Sequence, residues 1–95
     1  MLTHEMICKA VDSVAKTFAI KQVSYFGSYA EGRATNESDL DVLVEFDSKA
    51  VSLLTIIGIK YSLEEMLGVP VDVIHAPIPE TSLIKPTKVV QVYAA

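Results

Sequence analysis

The sequence predicts an α+β fold in which helices pack on one face of a small mixed sheet of about four strands. Three observations lead to this prediction. An amphipathic helical pattern opens the chain, short β-prone segments follow it, and a long apolar helical segment separates the second of these from the third. A helix of that length is sufficient for a crossover connection, which allows the second and third strands to be parallel. The predicted order of elements is α-β-β-α-β-(β).

The first helix is predicted over residues 3–18, where apolar residues recur at intervals of three and four. Thr3 can cap its N-terminus, and Glu5 suits its first turn. A β-prone run at residues 20–26 follows and ends at Gly27, so we predict the first strand there.

The second strand is predicted over residues 40–46, where apolar and polar side chains alternate after a turn-rich segment at residues 29–38. Ser48 is a candidate N-cap for a second helix that runs to about Leu67. Gly58 lies inside this helix and costs about 1 kcal/mol relative to Ala.

Gly68 is the expected end of the second helix, because glycine favours the position after the last helical turn. Residues 69–74 then predict the third strand, and residues 76–79, with two prolines, predict a loop. The β-branched run at residues 88–93 predicts a last strand at an edge of the sheet.

Composition restricts the class of protein. The chain has 95 residues, of which 51% are hydrophobic and 21% charged, and this predicts one globular domain over residues 1–95 rather than a disordered chain. No apolar run reaches the 18 residues that span a bilayer, and no basic segment opens a signal peptide, so neither a membrane nor secretion is expected. The single cysteine, Cys8, excludes an internal disulfide, and a cytoplasmic location is the default. The net charge of −4 argues against a surface that wraps nucleic acid.

The strongest chemical signal is a Gly-Ser pair followed, after ten residues, by Asp-Leu-Asp. Gly27 ends the first predicted strand, and its lack of a side chain lets the backbone approach a ligand closely. Ser28 offers a hydroxyl and an N–H group at the start of a short helical turn through residues 30 and 31. Such a turn is a ready site for a phosphate.

The two aspartates of this signal, Asp39 and Asp41, stand two residues apart at the start of a strand, so their side chains point to the same face. They repel each other unless a divalent cation lies between them, and hard oxygen ligands of this kind suit Mg²⁺ with phosphate oxygens completing its shell. The alternative is a solvated acidic loop, since six of the twelve acidic residues fall between residues 31 and 47. A phosphate-binding turn beside an Mg²⁺-binding pair of carboxylates is typical of enzymes that transfer phosphoryl or nucleotidyl groups.

A third carboxylate, Asp72, lies between two valines of the third predicted strand. An aspartate buried in such a strand is costly without a partner or a metal, and pairing with a lysine is the structural alternative. If the third strand lies beside the second, Asp72 completes a three-carboxylate cluster and can bind a second metal or take the attacking proton. Arg33 either steadies a triphosphate or is a solvated loop residue, and His75 either contacts nucleotide or is an ordinary loop histidine.

The combination resembles the nucleotidyltransferase superfamily that includes DNA polymerase beta. More narrowly, it is similar to the minimal nucleotidyltransferases, the MNT proteins that serve as antitoxins beside HEPN-domain toxins. The resemblance covers roughly residues 3–75 and rests on the Gly-Ser-x10-Asp-x-Asp motif, its flanks at residues 25–32 and 38–44, and residues 67–74, which match the family's third-carboxylate strand. The tail matches less well, because family members often carry a last helix there, which Pro86 disfavours.

The resemblance implies a role for each matching residue. Gly27 and Ser28 would bind the β- and γ-phosphates of a nucleoside triphosphate, Asp39 and Asp41 would hold two Mg²⁺ ions, and Asp72 would be the third carboxylate. A hydroxyl would attack the α-phosphorus in line, and pyrophosphate would leave. In the antitoxin group the nucleotide is ATP and the acceptor is a tyrosine of the toxin, so that AMPylation silences the toxin.

Two other functions stay open on the sequence. The chain could neutralise its partner by contact alone, without catalysis, or it could transfer a nucleotide to a small molecule or to nucleic acid. The last two acceptors usually require an added domain, and eight basic residues against twelve acidic ones disfavour a nucleic-acid groove. Because the Gly-Ser pair and all three carboxylates are present, we expect an active enzyme. Its apolar surface and edge strand predict a homodimer or a complex with a helical partner.

Overall fold

The computed structural model describes residues 2–47, 51–75 and 88–94 and has the predicted order of elements. The elements are α1 (His4–Ala15), β1 (Ile20–Phe26), β2 (Leu40–Phe46), α2 (Leu53–Leu67), β3 (Val71–His75) and β4 (Val90–Ala94). The strands form one mixed sheet in the order β3-β2-β1-β4. Strand β3 is parallel to β2, whereas β1 is antiparallel to β2 and β4. The predicted α+β class, the parallel pair and the edge position of the last strand are therefore confirmed.

Both helices pack on one face of the sheet, as predicted. Alternate residues of β2 are buried beneath them, and the core is completed from α1, β1 and α2 by Ile7, Val11, Val14, Val23, Ile59 and Leu63. The intervening residues Asp41, Leu43 and Glu45 are half-buried on the opposite side of the sheet, which we call the distal face. Because side chains alternate along a strand, the apolar pattern of β2 determines that Asp41 points to the distal face.

Helix α1 begins where the sequence predicts, because the Thr3 hydroxyl accepts a hydrogen bond from the Met6 N–H at 3.2 Å. The prediction that it extends to residue 18 is wrong. The helix ends at Ala15, and the N–H groups of Thr17 and Phe18 both bond the Val14 carbonyl in a turn that leads the chain into β1.

Helix α2 begins later than predicted. Ser52, not Ser48, is the N-cap, since its hydroxyl accepts from the Thr55 N–H at 3.2 Å, and Ser48 itself lies outside the described residues. The helix ends at the predicted Gly68, whose φ of 72° lies in the left-handed region that glycine adopts without strain.

The last two strands are displaced by one or two residues from their predicted positions. Strand β3 begins at Val71 rather than at residue 69, because Pro70 has no N–H and contributes only its carbonyl, which accepts from the Leu40 N–H at 2.9 Å. Strand β4 covers Val90–Ala94 rather than residues 88–93. The loop predicted at residues 76–79 lies outside the described residues. Within the described parts of the chain, no helix is long and apolar enough to cross a membrane.

Candidate active site

The Gly-Ser pair forms a tight turn at the end of β1. Gly27 has a φ of 72°, and its carbonyl accepts a hydrogen bond from the Glu31 N–H at 3.0 Å, while the Ser28 carbonyl accepts from the Arg33 N–H at 2.9 Å. The predicted helical turn is thus present as one turn without a following helix. The first N–H groups of such a turn have no carbonyl of the turn to bond, so they can be directed at an anion.

Gly27 also lies directly against Asp41. Phe26, the residue before it, is the register partner of Asp41 in β2. A Cβ atom at position 27 would overlap the Oδ2 atom of Asp41 and would lie 3.4 Å from its Cγ. Two independent constraints therefore require glycine here: the left-handed backbone and the space that the Asp41 carboxylate occupies. The same contact joins the Gly27 turn to the Asp41 carboxylate.

Asp41 faces Asp72 across the parallel pair of strands. The two residues are register partners, so their side chains project to the same face. Burial raises the pKa of Asp41 above its ordinary value of 3.8; the charges of Asp72 and Asp39, and a hydrogen bond between the Asp41 and Asp72 carboxyl groups, raise it further. The fold thus brings two acidic groups into contact at a point where a cation would relieve their repulsion.

The three carboxylates do not form the closed cluster that the sequence predicts. Asp39 precedes β2 and is exposed, and it acts on Asp41 only through its charge. Within the described residues, no three side chains of His, Cys, Asp or Glu stand together as a metal-binding group. Asp72 is also exposed, so the expectation that it is a buried aspartate in need of a partner is wrong. Of the three carboxylates, Asp41 and Asp72 are the two that the pairing of β2 with β3 brings together.

No lysine forms a salt bridge with Asp72 in the part of the chain that the structure describes, although the charge of Asp72 is one of the causes that raise the pKa of Lys60. The ion pairs found there join Lys16 to Asp12, Arg33 to Glu31 and Lys60 to Glu64. The Lys60 ammonium lies 2.9 Å from Glu64 Oε2. The structural alternative for Asp72, a direct salt bridge to lysine, therefore has no counterpart among these pairs.

The contacts that Arg33 and His75 make are with residues other than Asp41 and Asp72. The Arg33 guanidinium donates to Glu31 Oε1 at 3.0 and 3.2 Å and is largely exposed. His75 ends β3, where alternation places it on the helix side of the sheet, and its ring packs edge-on against Phe46 with centroids 5.2 Å apart. His75 therefore has a packing role in the described structure.

A further pair near the site was not recognised from the sequence. Lys60 and Glu64 of α2 both bond to the backbone of Val71, the residue before Asp72. Their spacing of four residues on a helix is a visible signal for an ion pair. Their contact with a strand could not be foreseen, because it depends on the geometry of the turn at Gly68.

The donor set suits a hard cation beside a phosphate. Carboxylate oxygens are the ligands that Mg²⁺ prefers, and it usually completes its octahedral shell with water and substrate phosphate. Asp41 and Asp72 supply oxygens from adjacent strands, Asp39 supplies another from the exposed segment before β2, and the Gly27 turn lies in contact with Asp41. The residues present therefore fit a magnesium–nucleotide complex.

Comparison with known proteins shows which family the chain resembles. The family model described as a nucleotidyltransferase domain matches residues 7–93. A relative from Thermococcus cleftensis, named protein adenylyltransferase MntA, is 40% identical over 57 residues, which cover 60% of this chain and 57% of that protein. The chain thus spans less than two thirds of the length of this relative.

Two solved structures share the fold. A crystal structure of a toxin–antitoxin with AMP-PNP matches with a TM-score of 0.76 at 21% identity, over 99% of this chain and 75% of that one. A structure of a tri-AMPylated Shewanella oneidensis HEPN toxin in complex with an MNT antitoxin matches with a TM-score of 0.71 at 15% identity, over 98% and 74% of the two chains.

Proposed function

Because the chain belongs to the nucleotidyltransferase domain family, we propose that it transfers AMP from ATP to a tyrosine hydroxyl of a HEPN-type toxin and is the antitoxin of that pair. The observation that carries this proposal is the contact between the Gly27 turn and the Asp41 carboxylate, which itself faces Asp72. A phosphate site and a cation site are thereby adjacent, as nucleotidyl transfer requires.

The turn at residues 27–31 binds the triphosphate. Its leading N–H groups and the Ser28 hydroxyl donate hydrogen bonds to the β- and γ-phosphates, and Gly27 lets the phosphates approach the backbone closely. The absence of a side chain at position 27 also keeps the phosphates next to Asp41. Arg33 reaches the triphosphate only after it leaves Glu31, an exposed pair that costs little to break.

Asp39, Asp41 and Asp72 are the residues that would hold Mg²⁺, with two ions as the expected number. When bound, Mg²⁺ neutralises charge on the phosphates and orients the α-phosphorus for attack. Asp41 holds its position through contact with Gly27 and through its place in β2. Asp39 lies before the strand begins and is exposed, so its side chain would be free to turn toward a cation held by Asp41.

The transfer forms one bond and breaks another. The acceptor oxygen attacks the α-phosphorus, the bond from that phosphorus to the bridging oxygen of the β-phosphate breaks, and pyrophosphate leaves. The acceptor's proton passes to a carboxylate. Asp72 is the candidate for this step, because it is exposed on the distal face and lies beside Asp41, where an incoming hydroxyl can reach it.

A partner protein supplies the acceptor, and α2 offers apolar surface for such a partner. Leu53, Leu54 and Tyr61 are 69%, 80% and 62% exposed on this helix. Large exposed apolar side chains that cluster on one element are typical of a surface that another protein covers. The solved complex of an MNT antitoxin with a HEPN toxin supports a HEPN-type partner in particular.

The nucleotide site can be tested without the partner. Mg²⁺ and ATP together should raise the melting temperature, because a ligand that binds only the folded state stabilises it by about 2.7 kcal/mol at 100 times its Kd. For a domain of this size, that corresponds to a rise on the order of 10 °C. The measurement is a thermal melt with Mg–ATP, with ATP in EDTA as the control. Equal shifts with and without the metal, or no shift at millimolar Mg–ATP, would contradict the site.

A further inference from the structure

Two side chains of α2 hold both backbone polar groups of Val71, the first residue of β3. The Val71 N–H donates to Glu64 Oε2 at 2.9 Å, and the Val71 carbonyl accepts from the Lys60 ammonium at 2.7 Å. The same Glu64 oxygen accepts from Lys60 at 2.9 Å, which closes the arrangement. We call these three residues the Val71 clamp.

The clamp lies on the outer edge of the sheet. Strand β3 is the terminal strand of the order β3-β2-β1-β4, so among residues 2–47, 51–75 and 88–94 no strand pairs with its outer side. Within a strand, the N–H and carbonyl of one residue point to the same side, and on an edge those groups are left without ladder partners. At Val71 the side chains of Lys60 and Glu64 bond both of these groups. Pro70, the preceding residue, has no N–H to offer.

The pKa values of Lys60 and Glu64 are both shifted in the direction that favours the charged form. The hydrogen bond from Lys60, followed by the bond from the Val71 N–H, lowers the pKa of Glu64, and the bond to Glu64 raises the pKa of Lys60. Both side chains are about one third exposed or less, at 26% for Glu64 and 35% for Lys60. Both groups are therefore charged at neutral pH, so their bonds to Val71 are charge-assisted.

We propose that Lys60 and Glu64 are positioning residues, which hold Val71 so that the next residue, Asp72, stays opposite Asp41. This inference rests on the proposed function of the carboxylates. The Val71 side chain is fully buried. Because side chains alternate along a strand, its burial determines the face on which the Asp72 side chain projects. Burial of Val71 does not determine the register of β3 along β2. The clamp supplies that constraint at the point where β3 begins.

Positioning of this kind matters because two carboxylates on different strands must act together. Asp41 is held by β2, in the interior of the sheet, whereas Asp72 lies on an edge strand of five residues. Residues that orient metal-binding or catalytic groups through one intermediate contact typically contribute about 10- to 100-fold to affinity or activity. Loss of the clamp should therefore lower catalysis more than it lowers stability.

The test compares variants of Glu64 and Lys60 in the full chain. Glu64→Ala removes the acceptor of the Val71 N–H, and Lys60→Met keeps the apolar stem but removes the donor to the carbonyl. Each should lower kcat for AMP transfer by about tenfold or more, measured well below the melting temperature of the variant. Glu64→Gln retains an oxygen that accepts from the Val71 N–H, and it should recover most of the activity that Glu64→Ala loses.

The matched control is the ion pair between Asp12 and Lys16 of α1, which has the same four-residue spacing but is exposed at 59% and 75%. Lys16→Met and Asp12→Ala should leave kcat unchanged. If they lower kcat as much as the clamp variants do, or if Glu64→Gln is as poor as Glu64→Ala, the positioning role is wrong.

A second measurement does not depend on activity. Hydrogen exchange of the Val71 amide, measured by NMR on the metal-free protein, should accelerate by about tenfold or more in Glu64→Ala but not in Lys16→Met. If the wild type transfers no AMP while this exchange behaves as expected, the clamp stands and the proposed function fails. If the Val71 amide exchanges equally in all variants, the clamp itself is contradicted.

Discussion

Replacing Asp41 by Asn is expected to lower the rate of AMP transfer by about a hundredfold or more, because it removes a charge that acts on the metal and the phosphates in the transition state. The matched control is Glu45→Gln, which removes one charge from the same face of the same strand, four residues further on. Its rate should stay within about twofold of the wild type, since surface charges at this distance are largely screened. A comparable loss in both variants would contradict a specific role for Asp41.

The same Asp41→Asn variant should be at least as stable as the wild type without metal. Burial and the neighbouring carboxylates raise the pKa of Asp41, so its ionised form is less favourable in the folded chain than in the unfolded chain. Above the raised pKa both states are ionised and the folded state bears this penalty, which Asn removes, for a gain of about 1 kcal/mol or less. As the pH falls through the raised pKa toward 3.8, the folded wild type takes up its proton first and the gain shrinks. The difference in the free energy of unfolding between Asp41→Asn and the wild type is measured by urea melts in EDTA at pH 7 and at pH 4.5. If the variant is less stable than the wild type at pH 7, Asp41 has a structural role.

Gly27→Ala is expected to abolish transfer and to cost stability. A residue with a side chain at φ 72° costs about 1–2 kcal/mol, and the added Cβ atom would displace the Asp41 carboxylate that it overlaps. Both the phosphate turn and the cation site are then disturbed by one methyl group. The measurements are the rate of transfer well below the melting temperature and the free energy of unfolding in urea.

Gly32→Ala is the control that separates these two effects. Gly32 has a φ of 73°, so it carries the same backbone penalty, but a Cβ atom there meets nothing within 4 Å. This variant should lose similar stability and keep its activity. If Gly32→Ala is as inactive as Gly27→Ala, general destabilisation rather than the contact with Asp41 explains the loss.

The elements of the fold were predictable because their patterns are local. The alternation in β2, the apolar stripe of α1 and the glycine after α2 each determine one element without reference to the rest of the chain. The start of α2 was misplaced because Ser48 and Ser52 are equally good caps in sequence, and only the folded chain shows which hydroxyl bonds the helix. The ends of β3 shifted for a similar reason, since Pro70 looks like part of an apolar strand until its missing N–H is counted.

The site was predictable in its residues but not in its contacts. The spacing of Gly27, Asp39 and Asp41 indicated a nucleotide site, yet nothing in the spacing shows that Gly27 lies against the Asp41 carboxylate or that Asp72 is exposed. Those facts follow from the register of strands that are distant in sequence. The bonds from Lys60 and Glu64 to Val71 have the same origin, because they depend on how α2 returns to the sheet.

AMPylation of a partner protein is the activity that we propose for this chain. The most direct test incubates the chain with ATP, Mg²⁺ and a HEPN-type protein co-purified from the native cell, and then measures the intact mass of that partner. We expect a mass increase of one or more AMP groups on the partner, located on tyrosine by fragmentation and absent when EDTA is added. A partner that keeps its original mass while its toxicity is suppressed would contradict the claim and identify the chain as an antitoxin that acts by contact alone.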